Sequence, residues 1–287
     1  MALRGVSALG IGLNTIFGRR AGTRPGIVNY HRIAWAVPDI PDPMHNVTPA
    51  VFREQLEGLL SRGFTAWSLE RLLEHARQQQ PVPPKTFAVT FDDGFETVYT
   101  RAWPVLKELN VPASLFVNTA YLDLQDPFPF DEWGVRYRRA SPAEAYRPLT
   151  LDQIREMVAS GLMDLGAHTH THEDFRGRPD EMTTDIAESV EFLRKHFGLN
   201  EVTFAFPFGS SQRGFAGSEL VAAAKRAGVT CGLTTDPMLV DLASDPFEWG
   251  RFNAFAWDTS ASLAAKLNGW YSWAPRWKRR LASRWKR

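Results

Sequence analysis

Apolar residues in this chain fall into short continuous runs separated by longer amphipathic stretches. Gly26 to His31, Thr86 to Phe91, Ala113 to Asn118, Met163 to Ala167, Val202 to Phe206 and Thr230 to Thr235 are such runs. Continuous apolar runs of this length are the pattern of strands buried on both faces. Between them the spacing turns helical. Phe52, Leu56, Leu59 and Leu60 share one face of a helix over Pro49 to Arg62, with Thr48 as its N-cap and Gly63 as its stop. Further helices are predicted over Trp67 to Gln80 with Ser68 as a possible cap, Thr97 to Leu109, Leu151 to Ser160 after Thr150, Thr183 to Phe197 and Ser218 to Ala227. Strand followed by helix, repeated six or seven times, predicts a parallel sheet covered by helices. That number of units favours a closed or nearly closed (β/α) barrel, with an open doubly wound sheet as the alternative.

One segment breaks the rhythm. Leu122 to Pro148 carries Phe128, Phe130, Trp133 and Tyr137 among prolines, directly after a strand. Barrel enzymes place their sites on such loops. The rings there either stack on a ligand or form an apolar flap over the barrel.

The charge is uneven. The whole chain carries a formal +1, yet residues 1–24 hold four Arg and no acid, and residues 259–287 hold eight Lys or Arg and no acid. The body between them keeps 21 basic against 32 acidic side chains, about −11. The chain therefore divides into a basic N-terminal arm or short membrane-associating helix (1–24), a globular body (25–258) and a basic Trp-rich tail (259–287). No run of about twenty apolar residues is present, so no spanning helix is expected. The apolar run after Arg4 is diluted by Gly10, Gly12 and Asn14 and lacks a small-x-small cleavage site, which makes it a poor signal peptide. A location in the cytoplasm or at the periphery of the inner membrane is expected, with export left open. The single cysteine, Cys231, excludes an internal disulfide framework and reads as a buried packing residue.

Three clusters carry chemistry. Asp92-Asp93-Gly94 follows the apolar strand Thr86 to Phe91. Adjacent side chains at a strand end point in different directions, so one carboxylate can bind a metal while its neighbour faces a substrate. A solvated Asp-Gly turn is the competing reading. His168-Thr169-His170-Thr171-His172 begins where the strand Met163 to Ala167 ends. His168 and His172, four apart, can reach one ion, and two His with one carboxylate leave positions open for water and substrate. His170 is expected to point elsewhere. Pro207-Phe208-Gly209 closes a strand with a sharp turn whose Phe208 amide can donate to an oxyanion.

Taken together, Thr90-Phe91-Asp92-Asp93-Gly94, His168-Thr169-x-x-His172 and Pro207-Phe208-Gly209 resemble the successive motifs of the NodB-homology polysaccharide deacetylase family, over roughly residues 25–255. Asn29-Tyr30-His31 and the Phe-Pro-Phe-Gly turn are most similar to the exopolysaccharide-modifying branch. The resemblance implies a distorted (β/α) barrel of about seven parallel strands and a divalent metal, zinc in expectation, held by Asp93, His168 and His172. It also implies hydrolysis of acetyl groups from sugars, with Asp92 as the base. Two family features are displaced. An Arg expected two residues before the motif proline is Ala205 here, and Arg251 is the candidate replacement. A late His that protonates the leaving amine is absent, and His31 on the first strand is the candidate for that role.

The expected activity is metal-dependent removal of N-acetyl groups from an amino-sugar polysaccharide or oligosaccharide, with water activated by Asp92. O-acetyl ester cleavage on the same site, or a non-catalytic carbohydrate-binding relic, are the alternatives. The expected partner is an acetylated carbohydrate. The tail, with Trp270, Trp273, Trp277 and Trp285 among Arg and Lys, suits an anionic membrane surface. No motif for nucleic acid is present, and none is expected to bind.

Overall fold

The computed structural model describes residues 24–269. The N-terminal arm and most of the basic tail, with the membrane contact expected of them, lie outside the described residues. Seven strands form one sheet. In chain order the elements are β1 (Gly26–Tyr30), α1 (Pro49–Ser61), β2 (Thr65–Ala66), α2 (Leu69–Arg77), β3 (Thr86–Phe91), α3 (Trp103–Leu109), β4 (Ala113–Val117), α4 (Glu132–Tyr137), α5 (Leu151–Ala159), β5 (Met163–Ala167), α6 (Pro179–Phe197), β6 (Thr203–Phe204), α7 (Ser218–Arg226), β7 (Phe252–Asn253) and α8 (Ser260–Leu267). The sheet order is β6-β5-β4-β3-β1-β7, with β2 beside β3, and every pairing is parallel. All residues of β1, β3 and β4 are buried, as their unbroken apolar runs require.

The caps act as the side chains dictate. Thr48 accepts from the Val51 amide, Ser68 from Arg71, and Thr150 forms a capping box with Gln153. Capping at Ser68 leaves Trp67 outside its helix, where its amide donates instead to the Phe87 carbonyl. α6 starts at Pro179, four residues before the predicted Thr183. Proline suits the first helical turn, and Asp180 and Glu181 follow it there. The predicted helix from Thr97 opens as a π-helical turn, Val98–Ala102, before α3. The aromatic segment Leu122 to Pro148 is not a bare loop, since it contains α4 and a 3-10 turn, Ala143–Ala145.

The largest departure lies between β6 and β7. The expected strand Thr230 to Thr235 reduces to a single bridge, Ala205 with Leu233. Thr230 and Leu233 donate to the Val202 and Phe204 carbonyls on one side, but Gly232 and Thr234 donate on the other to Pro246 and Trp249, which belong to no strand, so a ladder forms on one side at most. The sheet is therefore a distorted barrel whose gap this segment fills. Cys231 within it has no solvent exposure, and burial pushes its thiol up to about 12, so it is an inert packing residue.

β5 carries one polar residue in its middle. Burial, with the neighbouring charge of Glu70, pushes the Asp164 carboxyl up to about 6; the Ser114 hydroxyl, 3.3 Å away, offsets only part of this. A carboxyl whose folded pKa exceeds its unfolded one loses stability as pH rises between the two values, and the loss is complete above about 6. Asp164→Asn is accordingly expected to raise stability by about 1–2 kcal/mol at pH 7.5. The gain fades below pH 4, where Asp164 is protonated in both states. Thermal melts of both proteins at the two pH values check this, and an equal gain at both contradicts it.

Candidate active site

The parallel register brings three strand ends to one level. Tyr30 of β1 pairs with Phe91 of β3, and the Asp92 amide donates to the Tyr30 carbonyl at 3.0 Å. His31, Asp92 and Asp93 therefore leave the sheet together. β5 ends beside β4, and the His168 amide donates to Val117 at 2.9 Å. Six of the seven residues singled out from sequence meet directly here, and Phe208 stands at the edge.

Asp92 and Asp93 diverge as neighbours at a strand end must. Asp93 turns toward the histidines at a positive φ of 71°, and Gly94 continues the turn at 86°. The Asp93 Oδ1 atom lies 3.5 Å from Nε2 of His168 and 3.5 Å from Nε2 of His172. The three side chains are buried, and their ligand atoms all lie within 4.8 Å of one another. These separations are longer than a good hydrogen bond. They match the edge of about 3.3 Å expected for donors on a tetrahedral ion with bonds of about 2.0–2.1 Å. The His168 Nδ1 donates to the Ala205 carbonyl at 2.8 Å, which fixes the tautomer and leaves Nε2 free to ligate. The His172 ring is held differently. Phe130 stacks on it at 3.9 Å and the Phe208 ring meets it edge-on at 4.9 Å, while its buried Nδ1 has no partner. Burial holds the His172 imidazolium down to about 4, so the ring is neutral at pH 7, as ligation needs. Burial would raise the Asp93 carboxyl, but the close contact of His168 and the neighbouring His31 and His172 hold it well below the usual carboxylate range. A divalent metal fits this donor set.

Asp92 faces the other way, into a fully buried polar network. Arg251 grips it with both terminal nitrogens, Nη1 to Oδ1 at 2.6 Å and Nη2 to Oδ2 at 2.8 Å. Asn29 donates a third bond to Oδ2 at 2.9 Å. Arg251 has no solvent exposure, and its Nε donates to the Thr234 carbonyl. Burial opposes the Asp92 charge, yet Arg251 and the nearby histidines hold the carboxyl below its ordinary value. His31 completes the group, its Nε2 3.9 Å from Asp92 Oδ2. The pairing of β1 with both β3 and β7 is what places His31 and Arg251 on either side of Asp92.

Two residues of this site, Asp185 and Asn118, are given no role in the sequence reading, and Asn29 and Phe130 appear there without these roles. Asn29 stands out in sequence only as part of the Asn29-Tyr30-His31 resemblance, with no contact to Asp92 expected of it. Asp185 on α6 accepts from the His170 and Thr171 amides and the Thr171 hydroxyl, tying down the histidine loop. Asn118 donates to the His168 carbonyl. Phe130 covers His172. The signals for Asn29 and Asn118 were a buried-strand position and a strand end occupied by an amide. His170 points away from the cluster and bonds Thr119.

Residues 79–232 match the model of the polysaccharide deacetylase family. The chain belongs to that family. The match covers Asp92, Asp93, His168, His172 and Phe208, while His31 and Arg251 lie outside it. Among relatives, the poly-beta-1,6-N-acetyl-D-glucosamine N-deacetylase of Staphylococcus epidermidis is 24% identical over 216 residues, 72% of this chain and 67% of the relative. A Staphylococcus aureus protein of the same name is 21% identical over 212 residues, 71% of this chain and 66% of the relative. The chain thus spans about two thirds of these relatives. Among solved structures, IcaB from Ammonifex degensii (24% identity, TM-score 0.68) matches over 86% of this chain and 98% of its own. The de-N-acetylase of Aggregatibacter actinomycetemcomitans (19%, TM-score 0.71) matches over 85% and 99%. The acetate complex of deacetylase PplD from Streptococcus pyogenes (23%, TM-score 0.68) matches over 85% and 98%. At these identities the structures establish the shared fold.

Breaking one partner of a buried ion pair leaves an uncompensated charge. Arg251→Leu is therefore expected to cost about 3–5 kcal/mol of stability, with much of it recovered in the Asp92→Asn/Arg251→Leu double variant. Urea titration of the two variants measures this. Equal losses in both show that the pair is not coupled.

Proposed function

We propose that this chain removes N-acetyl groups from the amino-sugar residues of a polysaccharide, with poly-beta-1,6-linked N-acetylglucosamine as the model substrate. The observation that carries this reading is the paired arrangement at one strand end: a metal-binding trio on Asp93 and a clamped, ionised carboxylate on Asp92. The intact donor set argues against a binding relic. His31 beside Asp92 favours amide over ester cleavage, because an amine leaves only when protonated.

Asp93, His168 and His172 would hold the metal, and zinc is the proposed ion because two imidazoles and one carboxylate with an open position suit it. Such an ion supplies Lewis acidity, making water more acidic and polarising the acetyl carbonyl. The remaining work falls to the chain itself. Arg251 and Asn29 keep Asp92 ionised and oriented, so it enters the reaction able to take a proton from the attacking water. The turn at Phe208 stands against His172, where its backbone amide would donate to the developing oxyanion. His31 would give its proton to the departing nitrogen. Burial, with the charges of Arg251 and His168, holds the His31 imidazole below its ordinary pKa, and the Asp93 and Asp92 carboxylates offset only part of this.

Asp92→Asn retains the shape and loses the charge. It is expected to lower kcat for acetate release by about 10²–10⁴-fold while metal content by elemental analysis stays near wild type. Full activity would remove Asp92 from the role of base. His172→Ala is expected to lose bound metal and activity together, and metal retained at wild-type stoichiometry would break the proposed trio. Acetate release from a panel of acetylated glycans, before and after chelation and zinc add-back, tests the reading as a whole.

A further inference from the structure

Beyond Asn253 the chain passes through Phe255, Ala256 and Trp257 to the cap of α8. Trp257 is 53% exposed, unusual for so large an apolar ring. One face of its indole lies on Phe255, with centroids 4.6 Å apart and planes 7° from parallel. A covered face contributes little exposure, so the opposite face is the one in water. Behind this pair, Phe255 meets His45 at 5.6 Å, and His45 stacks on His31 at 4.6 Å with 21° between planes. A file of four rings thus runs from Asp92 outward to the surface.

The loop that presents Trp257 is anchored. The Phe255 amide donates to Asp258 at 3.1 Å, and Gln55 donates to the carbonyls of Phe255 and Asp258 at 3.1 and 2.8 Å. Lys266 pairs with Asp258 at 2.6 Å. A ring held in this way loses little freedom on meeting a ligand.

We propose that Trp257 is a sugar-binding platform, whose open indole face takes the apolar C–H face of a pyranose further along the polymer from the residue being deacetylated. This deepens the reading under Proposed function and rests on it. It assigns the enzyme to chains of amino sugars in preference to single ones. A pyranose suits the site because it pairs one flat apolar face with a hydroxyl rim. An anionic membrane is the other surface that an exposed Trp can meet, and vesicle binding separates the two.

The test compares the full-length protein with Trp257→Ala and Trp257→Phe on a β-1,6-linked N-acetylglucosamine pentamer and on the free monosaccharide. Acetate release gives kcat/KM for each, and calorimetry gives pentamer affinity. Trp257→Ala is expected to lower the pentamer-to-monomer ratio of kcat/KM about three- to tenfold, through KM. Trp257→Phe should recover part of it, and melting temperatures should stay together. An unchanged ratio with unchanged affinity overturns the platform, as does loss of binding to anionic vesicles without loss of pentamer affinity. If the wild type releases no acetate, the functional reading fails; the affinities of wild type and Trp257→Ala then decide the platform alone.

Discussion

A guanidinium with no solvent exposure and a carboxylate at its side can share the interior only if every charge and donor is answered. Arg251 and Asp92 come near that condition through a two-pronged contact, with Asn29 and Thr90 sharing the second Nη1 proton and the Thr234 carbonyl taking the Nε proton. The network draws on β1, β3 and β7 at once, so it depends on β1 lying between the other two. A slip of β1 by one residue would turn Asn29 to the opposite face and leave Asp92 one bond short. The same clamp divides the work of two adjacent carboxylates. Asp92 is held toward Arg251, which leaves Asp93 to face the histidines.

The other half of the site is built on backbone strain. Asp93, Thr169, His172 and Phe208 all sit at positive φ, and Thr169 is β-branched, for which that region is a true outlier. Each such residue costs about 1–3 kcal/mol and persists only where its surroundings fix it. Here the Thr169 hydroxyl accepts from the His172 amide at 2.9 Å, while Asp185 holds the next two amides. Rigidity of this kind suits a trio whose donor spacing must match an ion.

The strand-and-helix alternation and the four acidic and histidine residues at strand ends were legible from sequence because both are local patterns. Arg251 and His31 were legible only as replacements for missing family residues, since nothing near them in the chain marks a site. Their placement arises from β1 joining β3 and β7, a pairing across more than two hundred residues. Asp185, and the bond of Asn29 to Asp92, were not legible, because a single buried polar residue in a strand or helix looks like any other until its partner is known. β6 and the segment after Val229 were read as longer strands because apolar runs report burial. They do not report where each amide finds its acceptor, and Gly232 and Thr234 find theirs outside the sheet.

The aromatic residues divide by function in a way their sequence positions conceal. Phe128 and Phe130 stack at 5.0 Å and close over His172, and Arg32 locks their segment by pairing with Asp131 while lying over Phe95 and Trp133. This is a cover: it shields the Asp93, His168 and His172 trio from water, lowers the local dielectric and so strengthens each charge interaction within it. On the opposite side, Phe255 and Trp257 stack outward and end in solvent. The aromatic rings thus cover His172 on one side and run from His31 to the surface on the other.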